Sequence, residues 1–134
     1  MDRKVAIAVF VGIFGAGFAV ALLIYLGHLI APVDIPEGFK NWPKDAKIIF
    51  MKNLPLSHYI LVILGQGLGI LFGVVAGRLL YNKATRPLYI ILVIMLMMST
   101  INYLSMPHPG WFLFADLGFS GLLSIAYIQS RKKA

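Results

Sequence analysis

The sequence has no cysteine. Disulfides, thiolate zinc sites, ordinary iron–sulfur ligation and cysteine nucleophiles are therefore excluded. Charge is also scarce. Only 13% of the 134 residues are charged, where a soluble domain carries roughly a quarter. So few charges cannot coat a globule of this size with water-compatible surface. An ordinary soluble enzyme, a disordered chain and a fibrous repeat are all excluded by that composition.

Catalytic motifs are missing too. There is no H-E-x-x-H, no phosphate-binding P-loop and no dinucleotide glycine fingerprint. Gly118-Phe119-Ser120-Gly121 is not a G-x-S-x-G elbow, and it falls in an apolar run. The sequence implies no cofactor and no metal site, and it gives no positive case for an enzyme.

Apolar residues make up 60% of the chain, and they are gathered into runs. A membrane span needs about 20 residues. Four stretches qualify, at about 5–30, 57–80, 87–105 and 110–129. The Met-Asp-Arg-Lys start resembles the positive flank of a signal peptide. The run behind it is too long for a typical apolar signal core, and no small-x-small cleavage site follows, so it reads as a helix. None of the seven prolines falls in the interior of a span; Pro87 opens the third. Pro87 suits a first helical turn, and Pro107-His108-Pro109-Gly110 reads as a turn. The expected fold is all-α, a polytopic four-helix membrane bundle forming one domain over residues 1–134.

Charge placement gives the orientation. Formal net charge is +7, which in a soluble chain would suggest nucleic acid. No nucleic-acid reading module fits, and the basic residues sit beside apolar runs, so lipid headgroups are the better counter-charges. Arg3, Lys4, Arg78, Lys83, Arg86, Arg131, Lys132 and Lys133 share one side with only Asp2. On the other side Lys40, Lys44, Lys47 and Lys52 are offset by Asp34, Glu37 and Asp45. The positive-inside rule then puts both termini in the cytoplasm. Tyr25, Tyr59, Tyr103, Trp42 and Trp111 map near the outer interface, and Tyr81, Tyr89 and Tyr127 near the inner one, as aromatic belts do. The outer connection, 31–56, carries a short candidate helix starting within Asn41-Trp42-Pro43-Lys44-Asp45. Its apolar patch Ile48–Met51 suits the membrane surface or a cap on the bundle.

Small residues recur in the second span. Gly65, Gly69, Gly73 and Gly77 fall every four residues and form one ridge, a glycine-zipper pattern for close helix packing. That ridge serves either packing within the chain or a homo-oligomer interface. Gly12 with Ala16, Gly15 with Ala19 and Gly17 with Ala21 offer complementary sites in the first span.

Asp116 is the only acidic residue inside a span. A charge at the membrane centre costs about 2.5–3.5 kcal/mol on insertion scales, so Asp116 should face protein or water. Ser120 and Ser124 continue its helical face. Asn102 and Gln66 are candidates to join it from neighbouring spans. His28, His58 and His108 all map to the outer half; their spacing matches no recognised metal-ligand pattern. Met95, Met97 and Met98 read as adaptable packing residues.

The glycine run, followed by Met106-Pro107-His108-Pro109-Gly110-Trp111-Phe112 and Asp116, resembles a family of small four-span bacterial membrane proteins marked by a His-Pro-x-Trp-Phe turn. The resemblance covers the second to fourth spans. It implies the bacterial cytoplasmic membrane and brings no activity with it. The residues lead to a small non-enzymatic membrane protein that packs with itself or a membrane partner. The alternative is an oligomeric transporter or channel using an outward-facing polar pocket around Asp116.

Overall fold

The computed structural model describes residues 2–131. Lys132 and Lys133, counted above among the cytoplasmic charges, lie outside the described residues. The described residues form five α-helices: α1 (Arg3–Ile30), α2 (Lys44–Lys52), α3 (Leu56–Leu80), α4 (Arg86–Ser105) and α5 (Gly110–Ser130). No strand occurs among the described residues. Helices α1, α3, α4 and α5 are each long and apolar enough to cross a membrane. The molecule is thus an all-α, multi-pass bundle with a short extra helix.

Local chemistry sets the helix ends. Asp2 caps α1, its carboxylate accepting from the Lys4 N–H at 3.2 Å. Such a bond satisfies one of the donors a helix start leaves open. Pro43, Pro55 and Pro109 stand immediately before α2, α3 and α5. Each fixes an extended backbone and has no N–H to leave unpaired. The connection before α2 contains a 3₁₀ turn, Phe39–Asn41. Gly38 enters that turn at φ 76°, a left-handed conformation that favours glycine. The candidate short helix of this connection starts at Lys44, within the expected stretch, while Asn41 and Trp42 are used by the 3₁₀ turn and its exit.

The bundle is built on the antiparallel pair α1–α3. The glycine ridge of α3 faces α1 along its whole length. A Cβ on Gly69 would lie 2.6 Å from the Val20 nitrogen, and one on Gly73 would lie 3.0 Å from the Ala16 Cα. On Gly65 it would meet the Ile24 nitrogen at 3.3 Å, and on Gly77 the Ala8 carbonyl at 3.3 Å. At Gly69 and Gly73 the obstacles include backbone atoms, which cannot rotate away; at Gly77 the nearest atom belongs to the Ile91 side chain of α4. α1 answers with its own small residues: a Cβ on Gly12 would lie 2.9 Å from the Gly73 carbonyl. Close backbone approach of this kind lets many weak dispersion contacts form where lipid supplies no hydrophobic drive. The glycine ridge is therefore taken up inside the chain.

Helix α5 packs against α3 on another face, where a Cβ on Gly67 would strike the Phe119 ring. Helix α4 closes the group. Val74, Ile70, Leu88, Ile91, Leu92 and Ile128 form an apolar core in the half of the bundle that carries the chain termini. The opposite end carries α2. There the Tyr59 hydroxyl donates to the Met51 carbonyl and ties α3 to α2. Phe39, Trp42 and Phe50 pack their rings together, with centroids 5.1 to 6.0 Å apart, and hold the connection folded on itself.

Candidate functional site: a polar centre between three helices

A polar group placed in hydrocarbon must find a partner within the protein. Asp116 on α5 does so. It is 2 % exposed and faces the bundle. One terminal atom of the Gln66 amide, on α3, lies 2.8 Å from both Asp116 carboxyl oxygens. The other terminal atom lies 3.0 Å from Ser99 Oγ on α4. Three helices thus meet at one hydrogen-bonded chain, Asp116–Gln66–Ser99. With Asp116 as a carboxylate, the Gln66 nitrogen donates to it and the Gln66 oxygen accepts from Ser99.

Ser120 and Ser124 lie on the same face of α5, fully buried. Neither hydroxyl has a hydrogen-bond partner among the described residues. A Cβ on Gly67 would lie 3.5 Å from Ser120 Oγ, so this hydroxyl faces α3 beside the Gln66 turn. Thr100 and Ser105, by contrast, donate back to the carbonyls of Leu96 and Ile101 at 2.9 and 2.8 Å. The two α5 serines therefore extend polarity down the α3–α5 seam while leaving bonding capacity unused.

The polar centre is closed at both ends. Towards α2, Tyr59 and Phe112 are both buried, with ring centroids 5.4 Å apart. Phe112 stands one helical turn, about 6 Å, above Asp116. Towards the termini lies the apolar core of Ile70, Val74, Leu88, Ile91, Leu92 and Ile128.

Asn102 does not join this centre. It is exposed, while Ser99 takes the expected place. The buried stripe of α4 runs Leu88, Leu92, Met95, Ser99 at helical spacing and continues towards half-buried Tyr103. Asn102 lies one turn beyond Ser99, in the last turn of α4, and is exposed there.

The three histidines stay at the α2 end. His28 and His58 pair ring to ring at 5.3 Å. His108 stacks between Phe112 at 4.8 Å and Tyr103 at 5.7 Å. Its Nδ1 lies 2.8 Å from the Met106 carbonyl. Burial lowers the His108 pKa below the ordinary histidine value, with the Met106 carbonyl opposing that shift. His58–Tyr59–Trp111 and Tyr59–Phe112–His108–Tyr103 make one continuous layer of rings over the bundle end. His108 also borders an open hollow of about 410 Å³ whose rim includes Lys44 and Lys47. Among the described residues, no three His, Asp or Glu side chains gather in a set that could hold a metal ion.

Ser99 and the ring layer are the features that sequence reasoning missed. The signal for Ser99 was its four-residue step from Met95 along the α4 stripe. No family model, curated protein or solved structure matches the chain.

Proposed function

We propose that this chain is a small non-enzymatic membrane protein that acts by assembling in the bilayer, with a second copy or with another membrane protein. The enclosure of its polar centre carries this reading. A pore or open carrier needs polar groups reaching both surfaces. Here Asp116, Gln66 and Ser99 are sealed by Tyr59 and Phe112 on one side and by Ile70, Val74 and Ile128 on the other. Chemistry on a water-borne substrate would also need an opening that this arrangement does not offer. What remains for contact with other molecules is the outer surface.

Helix α1 supplies a surface suited to assembly. Phe14, Gly17, Phe18 and Ala21 are exposed on one face, and nothing lies within 4 Å of a Cβ placed on Gly17. A small-residue notch beside two aromatic rings admits a neighbouring helix closely. The glycine-zipper ridge of α3 is spent on packing within the chain, so the assembly surface is on α1. The basic residues at the terminal end favour a cytoplasmic location for both termini. The resemblance of the His-Pro-x-Trp-Phe turn favours the bacterial cytoplasmic membrane.

Affinity purification from native membranes, followed by mass spectrometry of the intact complex, tests the reading. A stoichiometric partner or a defined homo-oligomer, weakened by Gly17→Leu, is expected. A strictly monomeric protein, in bilayer and in detergent alike, would reject it.

A further inference from the structure

We infer that Asp116, Gln66 and Ser99 form a reversible proton-binding site, in which the Gln66 amide turns end for end as Asp116 gains or loses its proton. The inference stands apart from the assembly reading and rests on one geometric fact. The same heavy-atom positions keep Asp116, Gln66 and Ser99 joined in one hydrogen-bonded chain in two different protonation states.

In the first state Asp116 is a carboxylate. Gln66 Nε2 donates to it at 2.8 Å, and Gln66 Oε1 accepts from the Ser99 hydroxyl at 3.0 Å. In the second state one proton has been added to an Asp116 oxygen. That O–H donates to Gln66 Oε1, now turned towards α5, and Gln66 Nε2 donates to Ser99 Oγ at 3.0 Å. One proton is gained, no covalent bond other than the new O–H forms, and each of the three side chains keeps a hydrogen bond, while the unprotonated Asp116 oxygen gives up the one it held to Gln66 Nε2. The Ser99 hydroxyl hydrogen, a donor to Gln66 in the first state, is released in the second. It is then free to turn back to a carbonyl one turn earlier, as the Thr100 hydroxyl does to Leu96. Protonation on α5 is thereby read as a reversal of hydrogen-bond direction on α4.

An amide is suited to this role because it carries a donor end and an acceptor end of nearly equal shape. A glutamate at position 66 would repel the carboxylate, and a leucine would leave it alone. A proton also needs no cavity, unlike a metal cation.

No other charge competes at the centre. Two helices pack against α5. From α3 it is Gln66 that faces Asp116, and from α4 it is Ser99. The nearest titratable groups are displaced towards the α2 end. Tyr59 on α3 is bound to the Met51 carbonyl, and Tyr103 on α4 is stacked on His108. Arg78 on α3 and Arg86 on α4 lie at the terminal end, beyond the apolar core.

The test is infrared difference spectroscopy of the protein in lipid vesicles equilibrated across a pH series, with isotope-labelled glutamine. Gln66 and Gln129 are the glutamines of the chain, so a Gln129→Ser background leaves Gln66 as the labelled side chain. As pH falls, a carboxylic-acid carbonyl band and a shift of the Gln66 amide band should appear with the same midpoint. Asp2, Asp34, Glu37 and Asp45 also become carboxylic acids as pH falls, so Asp116→Asn should abolish the amide shift and remove the component of the acid band that shares its midpoint. Ser99→Ala should keep the acid band and diminish the amide shift, which provides a reading even where Asp116→Asn folds poorly. Three results would overturn the inference: an acid band lost in Asp116→Asn that rises with no amide change, an amide shift that survives Asp116→Asn, or an Asp116 that never titrates while the protein stays folded.

Discussion

The Gln66 amide lies 2.8 Å from both carboxyl oxygens of Asp116, and it joins α3 to α5 at the middle of an apolar bundle. Hydrogen bonds between membrane helices average only about 0.6 kcal/mol, because the separated helices also find partners. A polar group left alone in the interior costs more, about 1–3 kcal/mol. The second figure decides what substitutions here should do.

Asp116→Asn retains the size of the side chain and a group for Gln66 to bond. Its unfolding free energy should stay within about 1 kcal/mol of the parent. Asp116→Leu or Gln66→Leu alone strands the partner and should cost about 1–3 kcal/mol each. The double variant removes both partners, so its loss should be smaller than the sum of the two single losses. Steric-trap or denaturant unfolding in bilayer mimetics measures this. Strictly additive losses would show that the two side chains do not interact.

The glycine ridge makes a sharper prediction. A Cβ at Gly69 would meet backbone atoms of Val20 at 2.6 and 2.8 Å. Gly69→Ala should therefore destabilise by about 1–3 kcal/mol, the range for overpacking, and Gly69→Leu should block folding. Gly17 is the control. Gly17→Ala meets nothing within 4 Å and should be neutral or stabilising by up to about 1 kcal/mol through helix propensity. Equal thermal stability of the parent and Gly69→Leu would refute the close α1–α3 contact.

Much of this arrangement was legible in the sequence, for identifiable reasons. The four long helices follow from apolar runs broken at Pro32, Pro55, Pro87 and Pro107, since proline and lipid together leave few alternatives. Asp116 and Gln66 stand out because polar side chains in those runs are rare. Their pairing was harder to see, since it depends on which faces of α3 and α5 meet. Asn102 drew attention by its side chain, yet Ser99, one turn deeper on α4, meets Gln66, while Asn102 near the helix end is exposed. The course of residues 31–43 was legible only in part, because the Gly38 turn and the ring packing of Phe39 on Trp42 and Phe50 are tertiary choices.

His108 should give the outer layer a pH dependence. Its pKa in the folded protein lies below 6.5, chiefly because it is buried. The unfolded chain then binds more protons as pH falls through that value. The His108 contribution favours the folded state least at low pH, and stability should rise as pH climbs towards and past 6.5. In His108→Phe, which can still stack on Phe112 and Tyr103, this part of the slope should vanish. Thermal unfolding at a series of pH values checks it, and an unchanged slope would remove His108 from the account.

Topology is open to direct labelling. Among cysteine substitutions made in this cysteine-free chain, one at Lys44 should react with an impermeant reagent added outside cells. One at Lys83 should react only after the membrane is opened. The reverse pattern would overturn the orientation with both termini inside.

A polar centre enclosed on both sides should conduct no ions. Purified protein reconstituted into sealed vesicles should pass protons and monovalent cations no faster than protein-free vesicles under an imposed gradient. Asp116→Asn should leave that baseline unchanged. Sustained flux through the parent protein, lost in Asp116→Asn, would contradict a sealed centre and establish a conducting path through Asp116.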